Sequence, residues 1–199
     1  MTILIPFASL APVPWKNGGG NTTEIALGPP GAPYHGFDWR ISLATITHDG
    51  PFSLFPGVDR TLALVDGPGL VLDADDGSRH VLGGPGDDDT VIEFAGESAL
   101  RATLNGGATL DFNVMTRRAA CHHRFGRRRV AGKSVFAARG SRSVLFLAEG
   151  EALSVCSDLE RIGLVRFDAI VFDSETRWTL EADDATIFIV DIVFDTEAP

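Results

Sequence analysis

Along most of the chain, apolar residues come in short runs that alternate with polar ones, are rich in β-branched and aromatic side chains, and are closed by Gly, Pro, Asp or Asn every 8 to 12 residues or so, at about the spacing of hairpins. A period of two means strands, because successive strand side chains point to opposite faces. The pattern predicts strands at Thr22–Ala26, Trp39–Ile46, Thr61–Asp66, Gly69–Asp73, Thr90–Phe94, Ala99–Leu104 and Leu110–Met115. A second group follows at Ser143–Ala148, Ala152–Cys156, Ala169–Phe172, Arg177–Glu181 and Thr186–Phe194. Helical periodicity is nearly absent. Such antiparallel hairpins close into a sandwich or a barrel, an all-β fold.

The two groups repeat one order of elements. RTLALVDGPGLVL (Arg60 to Leu72) lies beside RSVLFLAEGEALSV (Arg142 to Val155), and each is followed by a strand with an acidic segment, DDDTVIEF or RFDAIVFD. ALRATL then matches RWTLEA, and TLDFNVM matches TIFIVDIV. This self-similarity predicts a duplicated β-barrel unit within one compact chain of residues 1–199, with halves near 14–118 and 140–195 and a basic connecting segment at 119–139.

Charge narrows the partners. A formal net charge of -10 over 199 residues argues against nucleic acid and against an anionic membrane surface, since both need a basic face. Cys121 and Cys156 are too few for a disulfide scaffold and fit a reducing compartment. The start, MTILIPFASLAPVPW, has no basic leader and no apolar stretch near the roughly 20 residues of a membrane span, so the expectation is a soluble, cytoplasmic protein. The run CHHRFGRRR, from Cys121 to Arg129, resembles a metal-ligand cluster only superficially, because adjacent residues on a strand face opposite ways. It reads as a solvated linker whose arginines form surface ion pairs.

Three stretches carry more chemistry than strands and turns require. PWKNGGGNTTEI gathers Trp15, Lys16, Asn17, Gly18, Gly19, Thr22 and Glu24. DWRISLATI places Arg40 and Ser42 on one face of a strand, and GPFSLFPGVDRTL places Ser53, Phe55 and Arg60 around a Pro-Gly turn. The glycine run is not a nucleotide loop, because its Lys precedes the glycines and a strand, not a helix, follows. It is either a strand-connecting turn or a backbone surface that a ligand approaches.

Taken in order, PWKNGGG with Thr22, Glu24 and Ile25, then DWRISLATI, GPFSLFPGVDRTL and DFNVM, resemble the HutD/Ves family of small bacterial proteins. The resemblance implies a cupin-type (RmlC-like) fold, a double-stranded β-helix with two barrel halves in one chain, that is, a bicupin. It also implies a link to histidine utilisation and the binding of a small carboxylate such as formylglutamate, urocanate or a formate-like anion, without an established catalytic activity. The position after Thr22, commonly basic in the family, is Thr23 here. Cupins often hold a metal through histidines, but Ser53 and Phe55 stand where the paired histidines would fall, and no histidine lies between His48 and His80. No metal and no cofactor is therefore expected.

The residues then suggest a cationic pocket for a small anion. Lys16, Arg40 and Arg60 would grip a carboxylate. Asn17, Ser42, Ser53, Asn113 and the amides of Gly18 and Gly19 would orient its polar groups, between walls from Trp15, Phe52 and Phe55. Alternatives stay open: Arg40 can pair with Glu24 instead, Arg60 can be neutralised by Asp59 or Asp38, and Asn113 and Met115 can simply close a barrel end. Three classes remain, namely a binding protein that senses or buffers a carboxylate, a metal-independent isomerase or hydrolase using Lys16 or Glu24, and a protein-docking module. A homodimer is the base-rate expectation for partners.

Overall fold

A computed structural model of the chain describes residues 2–33, 35–83, 90–173 and 176–195. In chain order its strands are β1 (Thr2–Ile5), β2 (Pro12–Pro14), β3 (Gly20–Gly28), β4 (Trp39–Ile46), β5 (Gly50–Pro51), β6 (Val58–Asp66), β7 (Leu70–Ala74), β8 (Arg79–Leu82) and β9 (Val91–Ala95). They continue as β10 (Leu100–Leu104), β11 (Thr109–Arg117), β12 (Cys121–Ala138), β13 (Arg142–Glu149), β14 (Ala152–Cys156), β15 (Arg161–Val165), β16 (Ala169–Phe172) and β17 (Thr176–Phe194). The only helical piece among the described residues is a short 3-10 turn at Phe7–Ser9, and no helix there is long and apolar enough to cross a membrane. The acidic segment Asp87–Asp89 lies outside the described residues.

The strands fall into two compact units, Ala11–Ala120 and Met1–Leu10 with Cys121–Pro199. The first holds a six-stranded sheet, β2-β3-β4-β11-β6-β9, and a four-stranded sheet, β5-β10-β7-β8. Leu62 and Leu64 of one sheet and Leu70, Leu72, Leu82 and Leu100 of the other share one buried cluster, which closes the pair into a barrel-like body. In the second unit a seven-stranded sheet runs β1-β16-β13-β17-β14-β15, with β12 on β17, around Phe136, Leu145, Leu147, Phe172 and Trp178.

The pairings inside each unit correspond. In the first, β6 pairs with β9 and β11, and β7 with β8 and β10. In the second, β13 pairs with β16 and the latter part of β17, and β14 with β15 and the earlier part of β17. The long strand β17 thus covers both predicted segments, Arg177–Glu181 and Thr186–Phe194, because polar Asp183 and Asp184 interrupt the apolar pattern without interrupting the strand.

The connecting segment is corrected. Residues Cys121–Ala138 form a strand, not a solvated linker, because they pair with β17 along nearly their whole length. Basic side chains hid the pattern: Arg129 pairs with Asp184 at 2.7 Å, Lys133 with Glu181 at 3.7 Å and Arg127 with Glu149 at 3.8 Å, so the charged positions are a solvated face of that strand.

Candidate functional site

The six-stranded sheet presents alternate residues to one face, and its register lays them out in rows. Leu27, Arg40, Met115, Arg60 and Phe94 form one row across β3, β4, β11, β6 and β9. Glu24, Ser42, Asn113 and Leu62 form the next, followed by Thr22, Ala44, Asp111 and Leu64. A β-bulge at Ile25 lets Glu24 and Leu27 share this face although they are three residues apart. The face lines a cavity of about 960 Å³, which the hairpin before β3, the loop before β4 and the segment after β5 close from the sides. That is the size of a small-molecule site.

The structure brings to this cavity Trp15, Lys16, Asn17, Thr22, Glu24, Arg40, Ser42, Ser53, Phe55, Arg60 and Asn113. It does not bring Gly18 and Gly19, and the reading of their amides as a ligand floor is corrected. The Gly18 N–H donates to Trp15 O at 3.1 Å and the Gly19 N–H to Asn17 Oδ1 at 3.0 Å, so both amides are spent inside the turn. Gly18 sits at φ +72°, where glycine is favoured, and a Cβ on Gly20 would fall 2.1 Å from Thr45 O. The glycines therefore form a hairpin turn and allow β3 to approach β4 closely. Trp15 hangs from this turn, its indole N–H donating to Thr22 Oγ1 at 2.7 Å.

The two arginines are held differently. Arg40 is only 8% exposed, and its Nε donates to Glu24 Oε2 at 2.9 Å, so the cross-strand ion pair exists within the cavity wall. Arg60 is 6% exposed; it donates to Asn113 Oδ1 from Nε at 3.4 Å and Nη2 at 3.2 Å, and to Ser53 O at 3.3 Å. Its guanidinium lies 4.8 Å from the Phe94 ring centroid, 5.4 Å from Phe52 and 5.6 Å from Phe55. Aromatic faces and amide oxygens stabilise a cation while leaving its planar fork pre-positioned. Asp59 points the other way along its strand and pairs with Arg118 at 2.5 Å. Lys16 is exposed at the rim.

Sequence reasoning missed Phe94, which no local motif marks; only the register that sets it beside Arg60 identifies it. It also missed His35, Phe37, Ala32 and Pro33, which a loop without periodicity carries to the cavity. Thr23 is buried between Thr22 and Glu24 on the opposite face, so the commonly basic family position does not face the cavity in this chain. Beneath the floor, Asp111 is fully buried, accepts one hydrogen bond from Thr109 Oγ1 at 2.7 Å, and burial pushes its carboxyl up to about 7.

The cupin-type architecture raises the question of a metal, and the donor set does not fit one. Of the described residues that line the cavity, only Glu24 and His35 are ordinary ligands, Glu24 is engaged by Arg40, and three cations line the same space. Among the described residues no three His, Cys, Asp or Glu side chains cluster as a metal site.

Known proteins place this architecture. A family model described as HutD matches residues 8–190. Protein Ves of Citrobacter koseri is 39% identical over 138 residues, covering 68% of this chain and 67% of that protein, and Protein Ves of Cronobacter sakazakii is 36% identical over 137 residues, covering 68% and 70%. A conserved protein of unknown function from Pseudomonas aeruginosa superposes with a TM-score of 0.87 at 27% identity, covering 97% of this chain and 99% of that one. HutD from Pseudomonas fluorescens gives 0.82 at 24%, covering 98% and 100%. More distant neighbours of cupin type, such as YhhW from Escherichia coli with a TM-score of 0.68 at 11% identity, share the fold alone. With a matching model that spans nearly all of its length and Ves relatives above one-third identity, the chain belongs to the HutD family.

Proposed function

We propose that this protein is a metal-free bicupin that binds a small carboxylate of histidine degradation, such as formylglutamate, urocanate or a formate-like anion, and senses or buffers it in the cytoplasm. The observation that carries this reading is Arg60, a nearly buried cation that lines a ligand-sized cavity between three phenyl faces, its fork steadied by Asn113 and Ser53. A carboxylate entering beside it gains charge-assisted hydrogen bonds, each worth about 1.5–3 kcal/mol. The apolar surfaces of Phe52, Phe55 and Met115 then exclude water around that contact. The bicupin reading draws on the corresponding strand pairings of the two units.

The histidine-degradation ligand is supported by family membership, and the related fold of HutD from Pseudomonas fluorescens has been determined in a formate condition. A regulatory role suits a cavity wall in which the Glu24 carboxylate is tied to Arg40. Thermal-shift and calorimetric titration with formylglutamate, urocanate, formate, glutamate and histidine tests the reading. Stabilisation without product formation supports it; turnover of any of them replaces it with a metal-independent enzyme, and no response from any anion removes it.

A further inference from the structure

Glu24 and Asn113 occupy one row of the cavity face, on either side of Ser42, which is in register with both. Two strand spacings put their backbones roughly 10 Å apart. Each commits one side-chain atom to the wall and keeps another for the cavity. Arg40 Nε donates to Glu24 Oε2 at 2.9 Å, but 45% of the Glu24 side chain is exposed and, among the described residues, no group donates to its Oε1. Arg60 has only donors, so the Asn113 side-chain atom 3.2 Å from its Nη2 and 3.4 Å from its Nε is the oxygen, and the amide nitrogen is turned away from that cation. This nitrogen, Nδ2, has no acceptor among the described residues. The buried side-chain polar atoms without a partner there are Ser42 Oγ and Asp111 Oδ1; Nδ2 is not one of them, so it opens on the cavity that Asn113 lines. Ser42 is small and sealed at 1% exposure, which leaves a low floor between an acceptor on one flank and a donor on the other.

We infer that Glu24 and Asn113 read a secondary amide on the bound acid: Glu24 Oε1 accepts the ligand's N–H, and Asn113 Nδ2 donates to its C=O. The inference rests on the carboxylate reading of the cavity and names the class of acid, an amido acid. A carboxylate oxygen only accepts and an amide NH2 only donates, so a group between them has to donate to one side and accept from the other. A trans amide does this in opposite directions from one planar unit. Its nitrogen and oxygen lie about 2.3 Å apart, so with a hydrogen bond of about 2.9 Å at each end it spans roughly 8 Å, whereas a single hydroxyl bridging both residues spans less than about 6 Å. The separation of the two strands suits the amide. An ester of the same shape keeps the C=O for Asn113 but turns a lone pair toward Glu24, where an acceptor meets an acceptor. The two chain ends of the amide then run along the strands, one toward the row of Arg40, Met115 and Arg60 and the other toward Ala44, each row about 7 Å from the next.

The test is calorimetric titration of the full chain with N-acetylglycine, N-acetyl-β-alanine and 4-acetamidobutanoate, with the acetoxy esters in which oxygen replaces each N–H, and with the unbranched alkanoates of equal chain length. At the linker that binds best, the amide binds the unmodified protein about tenfold more tightly than its ester, and the ester more tightly than its alkanoate. In Glu24→Gln the side-chain oxygen stays on Arg40 Nε and an NH2 group takes the place of Oε1, so the advantage of amide over ester, compared within that variant, falls to within about twofold. Asn113→Ala removes the donor to the C=O, so the advantage of ester over alkanoate falls to within about twofold, whatever the change in alkanoate affinity itself. An amide that binds the unmodified protein no better than its ester at every linker overturns the subsite, and this comparison decides even where a variant fails to fold. An amide advantage that survives Glu24→Gln, or an ester advantage that survives Asn113→Ala, also overturns it. If alkanoates bind in an Arg60-dependent way without any amide advantage, the subsite falls and the carboxylate reading stands; if no acid binds at all, both fall.

Discussion

Arg40 and Arg60 stand in one row of the six-stranded sheet, each in register with Met115 from opposite sides. Two strand spacings separate their backbones, roughly 10 Å, so the cavity has a cation on each flank of a single thioether. The two are not equivalent. Arg40 carries its own carboxylate, Glu24, whereas the named hydrogen bonds of Arg60 go to neutral oxygens and its remaining surroundings include three rings.

The Glu24 carboxylate competes with a bound anion for Arg40 and repels it directly. Glu24→Gln keeps the shape and a hydrogen-bonding oxygen but removes the charge. Carboxylate affinity is expected to rise about three- to tenfold in this variant, measured by calorimetry at low salt. Unchanged affinity would show that Arg40 and Glu24 are only a structural pair.

Asp111 gives the fold a pH signature. Its carboxyl is raised from an ordinary value of 3.8 to about 7, with burial as the main cause and the Thr109 hydrogen bond opposing it. Between those values the unfolded chain releases the proton while the folded chain keeps it, so this residue's contribution is full below pH 3.8 and is lost as pH rises through about 7. At about 1.4 kcal/mol per pH unit, the loss over that interval is on the order of 4 kcal/mol. Asp111→Asn should therefore lose less stability than the parent between pH 4 and pH 8 or so, by a few kcal/mol, in urea unfolding at both ends of that range. Parallel pH profiles for the two proteins would contradict the burial of a protonated acid.

The glycines of PWKNGGG separate by cost. Gly20→Ala puts a methyl 2.1 Å from Thr45 O, so β3 and β4 must part, with an expected loss of about 2 kcal/mol or more. Gly18→Ala meets open space and suffers only its left-handed backbone, about 1 kcal/mol. Thermal unfolding of the two variants should rank them in that order; equal losses would mean that the close approach at Gly20 relaxes freely.

Much of this was legible in the chain. Strands β4, β14 and β16 begin and end where the alternation does, because apolar runs bounded by turns leave no choice of register. The cationic residues of the cavity were readable from Arg40 and Ser42 at spacing two and from Arg60 after its Pro-Gly turn. Strand β12 was not, since its pattern is written in basic residues, Arg127, Arg129 and Lys133, that pair with Glu149, Asp184 and Glu181, none of them near in sequence. Nor was the fate of the glycine amides. Asn17 looks equally suited to a ligand or to its own turn, and only the folded geometry shows its oxygen taken by Gly19. The placement of Phe94 beside Arg60 is a consequence of register between strands far apart in the chain.

The most direct measurement is calorimetric titration of the parent protein, Arg60→Lys and Arg60→Ala with formylglutamate, alongside circular dichroism to confirm that each variant is folded. Lysine keeps the charge but loses the planar fork, so affinity should fall about tenfold for Arg60→Lys and at least a hundredfold for Arg60→Ala. Folded Arg60→Ala that binds formylglutamate as tightly as the parent would contradict the account.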